Sequence, residues 1–287
     1  MFKIAILGCE NSHADAFLDA VIEQKVVDDV EFVGIYSDDA EAAQKLHDRF
    51  GVPVADSYDA YVGQVDGIIV TARNGANHYK YAKPYLASGI PMFIDKPITN
   101  SEEDAAAFMA DLKKYNVRVT GGSVCPLAPY VQELKQAVQE QKYGKVLGGY
   151  LRAPVSIENA YGNFFFYSQH LAQVMTEIFG CYPNSVKMYP NGTVYTGVVR
   201  YDDYDISLTY VDGSGYYYAG ISCQDSFVGG EYGAADLFTK EFMNYYNLLK
   251  GEPQQVSYED FFAPVYVLNA MNRSLETGEE AIVNKFA

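Results

Sequence analysis

The chain has 287 residues, of which 49% are hydrophobic, and its formal net charge is −16. This length suits two domains with full cores, and the composition excludes a mostly disordered chain. The negative charge argues against nucleic acid as a partner, because phosphate backbones are bound by clustered lysines and arginines. No apolar run approaches the ~20 residues that a membrane span needs, so we expect no membrane partner either.

The first eight residues are too short and wrongly built for a signal peptide and instead indicate a first strand. The four cysteines are far apart and lack metal-type spacing: Cys9, Cys125, Cys181 and Cys223. Together these features predict reduced, buried thiols, no metal site and a cytoplasmic location.

Up to about residue 122, apolar strands alternate with amphipathic helical stretches. The predicted strands are Lys3–Leu7, Glu31–Tyr36, Gly67–Thr71, Pro91–Ile94 and Arg118–Thr120. The predicted helices begin near Ser12, Asp39, His78 and Ser101. Ser101 is followed three residues later by Asp104, a capping-box pattern that marks a helix start. The alternation predicts a doubly wound parallel sheet, a Rossmann-type dinucleotide-binding domain over residues 1–122.

After Gly121-Gly122 the composition changes and tyrosine becomes frequent. A helix is predicted over 129–141, and two more over 235–250 and 258–277. The predicted strands between them are Val146–Ala153, Thr193–Tyr201, Asp205–Val211 and Tyr216–Ser222. We therefore predict an α/β domain over 123–287 that binds substrate, with an open, mostly antiparallel mixed sheet. A tyrosine-rich sheet of this kind favours a homo-oligomer, a dimer or tetramer, through that sheet.

The first strand leads into a turn where a nucleotide fold would bind phosphate. A dinucleotide fingerprint reads G-x-G-x-x-G, and only Gly8 of the three glycines is present. Glu10 would repel a pyrophosphate, and His13 stands where a small residue normally packs. The strand–turn–helix context is nevertheless right, Ser12 and Asp15 form a capping-box pattern, and helix amides favour an anion. Two interpretations remain open: a capped helix that binds no nucleotide, and a turn that binds the cofactor. The cofactor-binding turn would be formed by Gly8, Glu10, Asn11, Ser12 and His13.

The second strand ends in Ser37 and Asp38. An acidic residue at this point often binds the ribose hydroxyls of adenosine. Asp38 would repel a 2′-phosphate, so the prediction is NAD rather than NADP. The alternative is that Ser37 or Asp38 only caps the helix that begins near Asp39.

Asp95-Lys96-Pro97 follows the buried strand that ends at Ile94. Packing does not require a charged pair at the carboxyl end of a strand, and in an open α/β sheet this edge is where ligands bind. A lysine there can accept or donate a proton when burial shifts its pKa. The alternative is a surface lysine in a β–α loop.

Several segments together resemble the Gfo/Idh/MocA family of oxidoreductases. The motifs that carry the resemblance are Val65–Thr71, Asn74 with His78, Asp95-Lys96-Pro97, Tyr143–Val146 and Leu268–Gly278. The resemblance implies a Rossmann domain followed by an α/β domain, and hydride transfer between NAD(P) and a sugar or polyol carbon. It also implies that Lys96 and His170 are the family's lysine and histidine, and that the Lys96–Pro97 bond is cis. The remaining cofactor contacts that it implies are Thr71, Asn74, His78, Asp95, Lys96 and Pro97.

The chain departs from the family near the implied histidine. Phe166 occupies the position, one helical turn before His170, where the family has an aspartate that would share a helix face with the histidine. Tyr167 is the nearest replacement that could donate a proton, whereas Gln173 can only form hydrogen bonds. Pro126 stands where many members have an arginine. Substrate contacts are assigned to Lys96, Tyr161, Asn163, Tyr167 and His170.

Three functions remain open at this stage. The first is NAD-dependent oxidation of a sugar, polyol or related hydroxy compound, with Lys96, His170 and Tyr167 as catalytic residues. The second is a small-molecule sensor or regulatory subunit that has lost cofactor binding, which Glu10, His13 and Phe166 favour. The third is a tightly bound NAD used for chemistry with no net redox change.

Overall fold

The computed structural model describes residues 1–234 and 237–286, and the chain divides into two compact units. The first unit consists of Met1–Gly122 and the described part of Asp236–Phe261. The second consists of the described parts of Ser123–Ala235 and Phe262–Ala287. The predicted division at residue 122 differs in one respect, since it placed 236–261 in the second domain.

The first unit contains a five-stranded sheet in which all strands are parallel, in the order β2-β1-β3-β4-β5. Its strands are β1 (Phe2–Leu7), β2 (Val30–Tyr36), β3 (Gly67–Val70), β4 (Met92–Asp95) and β5 (Val119–Gly122). All five predicted strands are present within one or two residues of their predicted limits. Because strand order reverses beside β1, the carboxyl ends of β1 and β3 border the crevice where such sheets bind ligands. The predicted doubly wound fold is confirmed.

Five of the described α-helices lie entirely within the first unit. They are α1 (Ser12–Leu18), α2 (Ala40–Phe50), α3 (Ala76–Ala82), α4 (Glu102–Tyr115) and, later in the chain, α7 (Phe238–Leu249). The cap at Ser101 is confirmed, because its hydroxyl accepts a hydrogen bond from the N–H of Asp104. The capping box at Ser12 is wrong: Asn11 is the N-cap, and its side chain accepts from the N–H of Ser12. The predicted helix start at 235 lies outside the described residues.

Helix α7 packs against the rest of the first unit through aromatic side chains. Phe242 lies 5.6 Å from Phe17 of α1, and Phe17 lies 5.0 Å from Phe93 of β4, measured between ring centroids. These three rings are fully buried and belong to one hydrophobic core with β1 and β2. The packing places the first turn of α7 beside the first turn of α1 and the end of β4.

The second unit is built on a seven-stranded mixed sheet with the order β11-β10-β6-β9-β8-β7-β12. Its strands are β6 (Val146–Val155), β7 (Ser185–Asn191), β8 (Val194–Arg200), β9 (Asp205–Asp212), β10 (Tyr217–Cys223), β11 (Phe227–Tyr232) and β12 (Ala281–Ile282). Among the described strands of this sheet, β6 and β9 alone pair in parallel, so the predicted mostly antiparallel sheet is confirmed. The sequence analysis did not identify β7, β11 or β12.

Helices α5 (Pro129–Gln139), α6 (Phe165–Phe179) and the greater part of α8 (Tyr258–Thr277) accompany this sheet. Tyr210 of β9 is fully buried, and its hydroxyl donates to the carbonyl of Ser168 on α6. The predicted oligomer through the sheet stays a prediction. Across 1–234 and 237–286, no helix is long and apolar enough to cross a membrane.

Candidate active site

Gly8 ends β1 in a conformation that only glycine accepts easily. Its φ is +78°, and a Cβ atom there would lie 2.5 Å from the backbone of Ala72. Thr71 fixes the turn from the neighbouring strand, because its hydroxyl donates to the carbonyl of Gly8 at 3.0 Å. The ends of β1 and β3 therefore approach more closely than any side chain at position 8 would allow.

Glu10 joins the ends of three strands. One carboxylate oxygen accepts from the hydroxyl of Ser37 at 2.6 Å, and the other accepts from the N–H of Arg73 at 3.0 Å. Asp38 is held from both sides by the hydroxyls of Tyr36 and Tyr81, at 2.5 and 2.6 Å. These hydrogen bonds, with that of Tyr36 the strongest, lower the pKa of Asp38. The carboxyl groups of Glu10 and Asp38 thus lie at the edge where an adenosine ribose would bind.

The loops after β3 and β4 meet at Asn74. Its side-chain oxygen accepts from the N–H of Ala76 and from the amide of Asn100 at 2.8 Å. His78 lies within α3 rather than at its start, is fully buried, and has Nε2 2.7 Å from the carbonyl of Ala72. Burial lowers the pKa of His78, so this imidazole is neutral and serves mainly in packing. The Lys96–Pro97 peptide bond is cis, as the family resemblance implied.

Three ionisable side chains converge beside Lys96. His13 Nδ1 lies 3.1 Å from Asp95 Oδ2, and His13 Nε2 lies 3.1 Å from Glu241 Oε2. The same Asp95 oxygen accepts from the amide of Asn11 at 2.7 Å, and the other oxygen accepts from the N–H of Lys96 at 2.6 Å. We call His13, Asp95, Lys96 and Glu241 the buried charge cluster, because each is less than 5% exposed.

The charges in the buried charge cluster depend on one another. Burial alone would lower the pKa of His13, but the charges of Asp95 and Glu241 raise it to about 10. Burial also pushes the pKa of Asp95 upward, yet His13 and Lys96 hold it below its ordinary value. Burial raises the pKa of Glu241, and His13 offsets part of that rise. With all four groups ionised, two negative and two positive charges balance.

The raised pKa of His13 makes stability depend on pH. The ordinary value is 6.5 and the folded value is about 10, so its contribution is complete below about pH 6.5 and is lost as pH rises towards 10. The slope for one proton is about 1.4 kcal/mol per pH unit. Urea unfolding between pH 6 and 10 should show this decline in the wild type and a weaker one in His13→Gln. Parallel curves for the two proteins would contradict the assignment.

The second unit places its own polar group around His170 on α6. Ser123 Oγ lies 2.7 Å from His170 Nδ1, and Cys125 Sγ lies 3.5 Å from the same nitrogen. Ser123 is itself fixed, because its N–H donates to Gln173 at 2.7 Å and its hydroxyl accepts from the N–H of Cys125. His170 is 5% exposed. Ser123 is therefore a partner of the His170 imidazole in the described structure.

Aromatic rings complete the surroundings of His170. Tyr167 and Tyr217 lie edge-on to it, with centroids 5.0 and 6.2 Å away. Burial, with smaller contributions from Cys125 and Tyr167, raises the pKa of Tyr217 far above its ordinary value, so its hydroxyl stays protonated. Tyr161 and Asn163 precede α6, where Asn163 adopts a left-handed conformation and bonds with Asn159.

Among the predicted site residues, the first unit brings Gly8, Glu10, Ser37, Asp38 and Thr71 to one sheet edge. It also unites Asn11, His13, Asp95 and Lys96, whereas His78 is buried in packing and Ser12 begins α1. The second unit brings Tyr167 to His170. Sequence reasoning missed four residues: Ser123, Cys125, Tyr217 and Glu241. For Ser123 and Cys125 the available signal was their place directly after the glycine pair that ends β5.

A parallel sheet with a glycine turn at its switch point and acidic residues after β2 defines a nucleotide-binding Rossmann architecture. Residues 2–123 match the oxidoreductase family GFO_IDH_MocA, described as having an NAD-binding Rossmann fold. This match over the first unit agrees with the resemblance to the Gfo/Idh/MocA family predicted from the sequence.

Relatives of known activity match only part of the chain. Glucose-6-phosphate 3-dehydrogenase of Bacillus subtilis is 25% identical over 150 residues, 51% of this chain and 41% of that protein. UDP-N-acetylglucosamine 3-dehydrogenase of Acidithiobacillus ferrooxidans is 24% identical over 107 residues, 37% of this chain and 34% of that protein. The match thus spans less than half the length of these relatives.

Solved structures match the fold from end to end. Scyllo-inositol dehydrogenase from Lactobacillus casei, crystallised with NAD(H) and scyllo-inositol, has a TM-score of 0.85 at 14% identity. The alignment covers 99% of each chain. At this identity the likeness shows that both units share the fold of that protein.

Proposed function

We propose that the protein is an NAD-dependent oxidoreductase that transfers a hydride between the nicotinamide cofactor and a hydroxyl-bearing carbon of a sugar or polyol. The observation that carries the proposal is Lys96, 4% exposed, at the carboxyl end of β4 within the buried charge cluster. A lysine at this ligand-binding edge of a Rossmann sheet can exchange a proton with a substrate hydroxyl. The match of residues 2–123 to the oxidoreductase family and the named dehydrogenases among the relatives support the same chemistry.

The first unit has the features that NAD requires. Gly8 lets the chain turn tightly beside Ala72, and Glu10, Ser37 and Asp38 supply acceptors for ribose hydroxyls. Two carboxylates at this edge disfavour the 2′-phosphate of NADP by charge repulsion. When bound, NAD would supply the hydride acceptor. We therefore assign the cofactor edge to these residues together with Asn11, Ser12, Thr71 and Asn74.

Side chains of this protein carry out the proton transfer. In our mechanism Lys96 orients the substrate hydroxyl and takes its proton as the carbon is oxidised. His170, held through Nδ1 by Ser123, is the second acid–base group that we assign to the reaction. Tyr167, whose ring adjoins His170, and Tyr161 with Asn163 are assigned to substrate contacts.

Ser123→Ala should lower turnover roughly 10- to 100-fold, because the imidazole of His170 loses the partner that fixes its orientation. Steady-state kinetics over pH would measure the loss, and Ser123→Thr should restore part of it because the hydroxyl returns. Ser222→Ala, on β10, is the matched control and should behave as the wild type. Equal turnover in Ser123→Ala and the wild type would remove Ser123 from the mechanism.

Calorimetric titration with NAD, NADH, NADP and NADPH tests the proposal directly. We expect micromolar binding of NAD or NADH and much weaker binding of the phosphorylated forms, because Glu10 and Asp38 repel the added charge. A spectrophotometric screen with inositols, glucose 6-phosphate and related polyols should then show NADH formation. Binding without turnover on any polyol would contradict the redox function while leaving the cofactor site intact.

One observation favours a second candidate, a small-molecule sensor that has lost its cofactor. The acceptors at the ribose edge already have partners within the protein: Ser37 donates to Glu10, and Tyr36 and Tyr81 donate to Asp38. A nucleotide would have to replace these hydrogen bonds. Failure of all four nucleotides to bind would favour this candidate.

A further inference from the structure

The buried charge cluster contains two groups that have no role in the proposed reaction. Glu241 comes from α7 and His13 from α1, and both are at least 95% buried around the loop that carries Lys96. His13 lies between the carboxylates of Asp95 and Glu241, 3.1 Å from each. Asp95 in turn accepts from the N–H of Lys96. A continuous chain of contacts therefore runs from α7 to the backbone of Lys96.

Packing alone does not explain these charges. The ring of His13 lies among Phe17, Phe93 and Phe238, with centroids 5.8, 6.4 and 4.8 Å away. In such surroundings apolar side chains are often as stable as a buried ion pair, because burying each charge costs several kcal/mol. The cluster also acts on Lys96 through space, since Lys96 interacts electrostatically with both Asp95 and Glu241.

We propose that His13 and Glu241 are positioning residues that set the protonation of Lys96 and hold its loop through Asp95. The inference rests on the role proposed above for Lys96. Around Lys96 the ionised Asp95, Glu241 and His13 sum to one negative charge, which favours the ammonium form moderately. Neighbouring His78 is neutral and adds no charge.

The two positioning residues act on Lys96 in opposite directions. Removing the His13 cation leaves two negative charges, or one if the buried Glu241 then gains a proton, so the ammonium form of Lys96 is favoured more strongly or equally, and never less. Removing the Glu241 anion leaves no net charge while His13 stays protonated, or one negative charge if His13 loses its proton. The ammonium form is then favoured less or equally, and never more.

The NMR signal of lysine labelled with ¹³C at Cε reports the protonation state of Lys96. This measurement does not require enzyme activity. The signal that disappears in Lys96→Arg belongs to Lys96. Its titration midpoint should be higher in His13→Gln than in the wild type, or unchanged where Glu241 gains a proton, and lower or unchanged in Glu241→Gln. In the enzyme assay, the acidic limb of the pH–rate profile should move in the same directions, a shift that a purely structural role would not produce.

A fall in His13→Gln, a rise in Glu241→Gln, or unchanged midpoints in both variants would overturn the inference. These NMR outcomes do not depend on turnover, so a protein that binds no NAD and oxidises no polyol would refute the proposed function separately. If either variant fails to fold, the histidine NMR signals of the wild-type protein, which has four histidines, still test the inference. One imidazole should remain protonated on both nitrogens at pH 8, and its absence would overturn the inference.

Discussion

Replacing Lys96 with alanine should lower turnover by roughly 10²- to 10⁴-fold, the range in which a positioned acid–base group acts. The nucleotide edge formed by Glu10, Ser37 and Asp38 does not involve the Lys96 side chain, so NAD affinity should change by only a few-fold. Steady-state kinetics gives the turnover, and calorimetry on the same preparation gives the affinity. The two measurements together separate a lost proton acceptor from a lost cofactor site.

Two further variants sharpen this test. Lys114→Ala removes an exposed lysine from α4 and should leave turnover unchanged. Lys96→Arg keeps a positive charge in the buried charge cluster but cannot accept a proton near neutral pH, so it should fold well and remain inactive. Turnover near the wild-type level in Lys96→Ala would exclude Lys96 as the proton acceptor.

The fold of the first unit could be predicted because its strands carry a strong local signal. Strands buried on both faces are short, nearly continuous apolar runs, and β3 and β4 are fully buried along their length. Helix α8 could be placed from its ends, since the hydroxyl of Ser257 accepts from the N–H of Asp260 at its start. Gly278, with φ +70°, follows its last residue.

The cap of α1 was harder to predict, since Asn11 and Ser12 are adjacent and both residue types cap helices well. Strands β7 and β11 were missed for another reason. Exposed and half-buried residues alternate along β11, so it lacks a continuous apolar run. The pairing of β11 is determined by the neighbouring strands in the sheet. No local sequence pattern specifies those neighbours.

The partners of the site residues depend on contacts that are distant in sequence. Glu241 stands in an amphipathic helix, where a single glutamate normally indicates the solvent-facing side, yet it is 3% exposed beside His13. Ser123 and His170 are 47 residues apart and meet only once α6 packs on the segment that follows β5. Sequence reasoning could therefore identify His13 and His170 as unusual, but it could not identify what they contact.

Replacing His13 with alanine should lower the free energy of unfolding at pH 7 by roughly 3–5 kcal/mol, the usual cost of breaking a buried ion pair. Asp95 and Glu241 would lose the cation between them and keep their buried charge. Urea unfolding measures the loss. His47→Ala on α2 is the matched control, because that histidine is only partly buried and has Nδ1 2.9 Å from the carbonyl of Val52. Its cost should stay within about 1 kcal/mol.

The double variant His13→Leu with Glu241→Leu should be more stable than the two single leucine variants together imply. Each single change leaves one buried partner uncompensated, whereas the double change removes the unpaired charge of Glu241 and adds apolar surface beside Phe17 and Phe238. We expect a coupling energy of about 1–3 kcal/mol from the complete cycle. Additive costs would mean that His13 and Glu241 do not interact in the folded protein. A positive coupling together with lost turnover would show that His13 and Glu241 interact in the folded protein and that turnover depends on them.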